Sequence, residues 1–144
     1  MVELITAVAV TGMIVTFLGT AIYHILTVSE YGNDELTALH ELQNAAYWFN
    51  EDGQEAKAAI EVGGSQSVLT LTDNSTVTYA LDGTNLQRTI AGQPTILARN
   101  ISSAGFSVNN RIATMSLTST PPGRNSVSEN ATYMIYLRSV EVEG

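Results

Sequence analysis

The stretch ELITAVAVTGMIVTFLGTAIYHILTV, residues 3–28, decides how this chain is built. After Glu3 it runs from Leu4 to Val28 without an Asp, Glu, Lys or Arg. As a helix rising roughly 1.5 Å per residue it extends about 37 Å, enough to cross a hydrocarbon layer about 30 Å thick. A carboxylate fixed at the head of such a segment is expensive in lipid and asks for a partner. The run is too long, and lacks the basic front end, to be an ordinary cleaved secretory signal. No basic cluster flanks it on either side, so charge asymmetry does not orient it.

The interior of the run is not uniformly lipid-like. Gly12 and Gly19 lie seven apart, on one helical face, and Thr6, Thr11, Thr16 and Thr20 are spread around the helix. Small residues let helices approach closely, and buried threonines bond to the preceding turn. Packing against other helices therefore fits better than a plain single-pass anchor. Two glycines among several β-branched residues make Gly12 to Gly19 the weakest part of the arm. His24, with Tyr23 and Tyr31, marks the boundary between lipid and water.

Working outward, a soft point at Gly32-Asn33 is followed by apolar residues at Leu36, Leu39, Leu42, Ala46, Phe49, Ala56 and Ile60. Intervals of three, four and seven keep one helical face buried, while Glu35, Glu41, Glu51 and Glu55 take other faces. The spacing predicts one helix over residues 2–61, ended by Gly63-Gly64. Beyond it the period changes from helical to alternating. Ser67 to Thr72, Ser75 to Leu81, Asn85 to Ile90, Thr95 to Asn109, Arg111 to Ser119 and Ala131 to Val140 have strand composition. Turn formers separate them: Asp73-Asn74, Asp82-Gly83, Ala91-Gly92 and Asn109-Asn110. Short connections imply antiparallel neighbours. The fold class is α+β: a long N-terminal helix with an antiparallel meander packed on its second half. Three segments follow: 1–28, an apolar assembly or membrane helix; 29–62, an amphipathic half-helix; and 63–144, the sheet domain. The stretch Thr120 to Asn130, with Pro121-Pro122-Gly123, is the longest expected loop.

Composition narrows the function. The net charge is -8, from 14 acidic and 6 basic residues, and the basic ones are strung out singly. Specific nucleic-acid binding is not expected, because phosphate recognition needs clustered positive charge. No cysteine is present, which removes disulfides, thiolate metal sites and cysteine nucleophiles together. His24 and His40 are the only histidines. Sixteen residues apart on one helix, about 24 Å along its axis, they cannot share a metal within one subunit. Glu51, Asp52 and Glu55 read as a solvated helix face rather than an acid–base pair. The densest aromatic spot, Tyr47-Trp48-Phe49, reads as packing beneath the sheet. There is no nucleophile elbow and no phosphate-cradling glycine loop. Neither catalysis nor a cofactor or metal is expected. Asn74, Asn100 and Asn130 head N-x-S/T sequons; in a chain this rich in Ser and Thr they read first as unmodified surface loops, with glycosylation, which requires an extracellular fate, as the alternative.

The opening MVELITAVAVTG, residues 1–12, resembles the start of type IV pilins and the related pseudopilins of secretion systems. In that family a glutamate near the mature N-terminus precedes a glycine by nine residues, the spacing of Glu3 and Gly12. Met1 then stands two residues after the family's mature terminus, or is itself that terminus. A long N-terminal helix followed by a small antiparallel sheet is also the family's architecture. The stretches TYALDG (78–83), LQR (86–88) and ILA (96–98) are similar to the sheet region of larger minor pseudopilins. The chain departs from many pilins in having no proline in the arm and no C-terminal disulfide loop.

The resemblance implies a filament subunit held in the inner membrane, matured by a prepilin peptidase and added by assembly machinery to an extracellular helical homopolymer. Glu3, Gly12, Gly19 and Met1 would carry assembly, with Glu3 neutralising the N-terminal amine of a neighbouring subunit. Two other readings stand beside it. One is a pseudopilin of a type II secretion or DNA-uptake machine. The other is a monomeric membrane-tethered binding domain that uses its sheet or the Thr120 to Asn130 loop.

Overall fold

The computed structural model describes residues 2–123 and 127–138. Helix α1 (Val2–Glu55) is followed by β1 (Ala56–Val62), β2 (Gln66–Leu71), β3 (Thr76–Asp82), β4 (Asn85–Ile90) and β5 (Gln93–Ala98). Strands β6 (Ile101–Asn109), β7 (Ile112–Ser119) and β8 (Glu129–Tyr136) complete it. The chain divides within α1 into two compact units, Met1–Asn33 and Asp34–Gly144. The architecture is α+β, with every strand pair antiparallel. The meander forms two sheets, β1-β2-β3-β4-β5 and β6-β7-β8, each in sequence order.

Turn chemistry explains the meander. β3 and β4 close on the pair Asp82↔Asn85, with Gly83 at φ +61. A positive φ at the first of two loop residues is the II′ pattern, which matches the right-handed twist of hairpin strands. β4 and β5 close around Ala91-Gly92, at φ +49 and +77, the I′ pattern. Between β2 and β3, Asp73 Oδ1 accepts from Ser75 N–H at 2.8 Å and from its hydroxyl at 2.6 Å. These bonds hold the Asp73 carboxyl below the usual carboxylate range.

Three expectations need correction. The helix ends at Glu55, not near residue 61, and residues 56–62 form β1 on β2. Ala56 and Ile60 satisfy helical spacing, but Gly63 and Gly64, at φ +62 and +73, turn the chain straight into β2. Strand pairing with Gln66–Leu71 then outweighs the local helical pattern. The run from Thr95 to Asn109 is two strands, broken where Asn100 takes φ +57. The buried stripe of the helix is Ala38, Leu42, Ala45, Phe49, Asp52 and Gly53. Leu36, 67% exposed, and the exposed Leu39 lie off it.

The core of the second unit joins Leu42, Ala45 and Phe49 of α1 to both sheets. Leu69, Val77, Tyr79, Leu86, Phe106, Met115 and Leu117 are buried with them. Phe49 and Tyr79 meet edge to face, ring centroids 5.4 Å apart.

Candidate functional site

In the first unit the apolar side chains have no core of their own. The membrane-length window within α1 is wholly unburied in the chain, and Leu4, Ile5, Val8, Phe17, Leu18 and Ile22 all face outward. The arm's threonine hydroxyls, by contrast, are satisfied internally. Thr11 donates to Ala7 O at 2.8 Å, Thr16 to Gly12 O at 2.8 Å, Thr20 to Thr16 O at 3.0 Å and Thr27 to Tyr23 O at 2.9 Å. Thr6 bonds the carbonyls of Val2 and Glu3 at 3.1 and 2.9 Å. A hydroxyl already bonded within its helix costs little on entering an apolar medium. The helix is therefore long and apolar enough to cross a membrane, and Glu3 in its first turn is the one acid of the arm's apolar stretch.

One face of the arm is hollowed. Leu4, Ala7, Val8, Thr11, Gly12 and Val15 line a shallow apolar concavity, with Gly12 and Ala7 leaving its floor low. These positions follow the helical repeat on one side of the rod. A Cβ built at Gly12 or Gly19 meets nothing within 4 Å. Neither glycine is thus required by contacts inside the chain, although glycine within a helix costs about 1 kcal/mol relative to alanine. Met1 lies outside the described residues.

In the second unit the strongest polar cluster is one that sequence reasoning missed. Asp52 is 5% exposed, not part of a solvated face with Glu51 and Glu55. Its Oδ1 accepts from Arg88 Nη2 at 2.5 Å, its Oδ2 from Arg88 Nε at 2.7 Å, and Oδ2 also from the Tyr79 hydroxyl. The Arg88 guanidinium lies 4.7 Å from the centre of the Trp48 ring. Burial, with the Asp52 bond second, pushes the Tyr79 hydroxyl far above its ordinary value. The Asp52 hydrogen bonds likewise raise Arg88. Both carboxylate oxygens of Asp52 are thus engaged by Arg88 and Tyr79. The cluster clamps the last turns of α1 beneath the sheet. Tyr47 of the aromatic triplet stays exposed, while Phe49 is buried and Trp48 packs on the core.

The sequon asparagines do not converge. Asn74 and Asn100 occupy left-handed turn positions, φ +70 and +57, that asparagine tolerates better than most residues. Turn chemistry therefore accounts for both. Asn74 also accepts from Lys57 Nζ at 2.5 Å, and Asn130 is exposed on β8. Among the described residues no group of three or more His, Asp or Glu side chains could hold a metal ion. Comparison with family models, with curated proteins and with solved structures returns no match to this chain.

Proposed function

We propose that the chain is the structural subunit of an extracellular type IV pilus-like filament, polymerising through its N-terminal helix. The observation that carries this reading is the arm itself. It is an apolar rod whose threonine hydroxyls are internally bonded and whose apolar side chains are unburied in the chain, yet it keeps glycines that an external helix would reward. Lipid supplies an apolar medium for the waiting subunit but gains nothing from a notch at Gly12. A second copy of the arm gains close approach.

Glu3 then acts as a register check. Brought beside a neighbour's N-terminal amine, it enters an apolar bundle paired. A subunit added out of register leaves a buried charge unpaired, at a cost of about 3–5 kcal/mol. Electron microscopy of material sheared from the cell surface, with mass spectrometry of its principal protein, tests the reading. Long filaments made mainly of this chain are expected, and Glu3→Ala is expected to cut their yield and length. Normal filaments from Glu3→Ala would remove the register role. Short, scarce assemblies would favour the pseudopilin, and a chain that stays monomeric in the membrane would favour the tethered binding domain.

A further inference from the structure

The sheet β6-β7-β8 turns one face to the core and the other outward. Phe106, Met115, Leu117 and Ile135 are buried on the inner face, so the alternate residues of each strand point out. The registers set those outward residues in rows. Ser103 aligns with Thr118 and Asn130, and Gly105 aligns with Ser116 and Thr132. One row further on, Thr114 opposes Met134, and beyond it Ile112 opposes Tyr136. From Ser103 to Asn109 the face runs about 20 Å along the strands and about 10 Å across them.

The chemistry of this face restricts what it can hold. Among the described residues every outward position of the three strands is uncharged, in a chain whose net charge is -8. A phosphate, a lipid headgroup or an ionic peptide finds no counter-charge there. The hydroxyls are instead bonded in pairs, Ser116 with Thr132 at 3.1 Å and Ser103 donating to Thr118 at 3.1 Å. A hydroxyl offers one donor and two acceptor sites, so each pair keeps bonding capacity toward solvent at a fixed position. At one end the face becomes apolar, with Tyr136 76% and Met134 65% exposed. Gly105 lies among the hydroxyls. Its backbone is strand rather than left-handed, and a Cβ there meets nothing within 4 Å, so neither conformation nor packing inside the chain calls for glycine. The missing side chain leaves a notch beside Ser116, and glycine inside a strand often marks close approach of a ligand.

We propose that this outer face binds a neutral polysaccharide. Sugar hydroxyls are donors and acceptors at once, as those of Ser and Thr are, and need no charge opposite them. The C–H face of a pyranose ring is apolar and suits the electron-rich face of the Tyr136 ring. A glycan laid across the sheet stacks one sugar on Tyr136, approaches the backbone at Gly105 and exchanges hydrogen bonds with the hydroxyl pairs between. The face lies outside the arm, so binding requires no polymer. A filament of such subunits would repeat the site and raise its avidity.

Native gels cast with polysaccharide test this on the full-length chain, solubilised in a detergent without sugar headgroups. Hydroxyethylcellulose, mannan and xylan are the neutral probes, and alginate is the charged control. Retardation by at least one neutral polymer and none by alginate is expected. Tyr136→Ala should weaken binding to that polymer about tenfold. Ser116→Asp, which sets a charge among the hydroxyls, should weaken it as much. Ile96→Ala removes an apolar side chain 44% exposed on the other sheet and should change nothing. Tyr136 and Ser116 are exposed, so both variants should keep the unfolding midpoint read from Trp48 fluorescence. No retardation by any neutral polymer, equal retardation by alginate, or binding unchanged in both Tyr136→Ala and Ser116→Asp would overturn the proposal. The gels report on dispersed subunits, so their failure leaves the filament reading intact. An absence of filaments in sheared material likewise leaves the glycan face intact.

Discussion

Glycine sits in α1 on both sides of the division between the two units, and it means opposite things there. At Gly12 and Gly19 a side chain would enter open space, whereas at Gly53 a Cβ would run into the Ile135 side chain of β8. The first two are unexplained by the chain's own packing, and the third is required by it. The same contrast holds for charge. Glu3 has no partner described within the arm, while Asp52 is held by Arg88 and Tyr79. One helix thus carries a segment whose side chains are packed and paired within the chain and another whose apolar side chains and acid are not.

The sharpest way to break this contrast is to remove the acid that is internally partnered. Asp52→Ala leaves the Arg88 guanidinium partly buried without its carboxylate and the Tyr79 hydroxyl without its acceptor. Breaking a buried pair from one side costs about 3–5 kcal/mol. Denaturant unfolding of the full chain in detergent, followed by fluorescence of Trp48, the only tryptophan, should show a loss of that size. Trp48 stacks on Arg88, so its native signal should change as well. A loss below about 1 kcal/mol would mean that the cluster is solvated and screened like a surface pair.

The glycines give the next largest effect. Gly53→Ala must displace Ile135, and overpacking of this kind costs about 1–3 kcal/mol. Gly12→Ala should leave the unfolding midpoint of the sheet domain unchanged while reducing filament yield. If both substitutions moved the midpoint alike, the arm would be packed within its own chain and the contrast would fail.

What was legible in the sequence follows the same division. The arm, the run of strands beyond residue 64 and the hairpin strand Asn85 to Ile90 depend on local pattern, and local pattern is what a sequence displays. Asp52 was misread because its burial is set by Arg88, 36 residues further on, and an apolar periodicity has no place for a buried acid. Glu55 and Ala56 look alike to a helical repeat, and the helix ends between them because β2 lies alongside. Leu36 and Leu39 fit the repeat as well as Leu42 does, but the sheet covers only the side of the helix marked by Ala38, Leu42 and Ala45. The sequon asparagines read first as surface loops, and two of them do stand at left-handed positions between strands.

The smallest effect is a local one inside the finished unit, and it should be a gain. Ala91 holds φ +49 in the β4–β5 loop, where an L-residue other than Gly, Asn or Asp is strained by roughly 1–2 kcal/mol. Its neighbour Gly92, at φ +77, already suits the second position of a I′ turn. Ala91→Asn creates the Asn-Gly pair that this turn favours, without touching the core, because Ala91 is exposed. A gain of about 1 kcal/mol should raise the midpoint of thermal unfolding by about 4 °C. The same substitution should leave filament formation untouched, because the hairpin lies outside the arm on which the proposed assembly rests. A fall in the midpoint would mean that the loop is not a I′ turn, and that the β4–β5 register is held by the strands rather than by the turn.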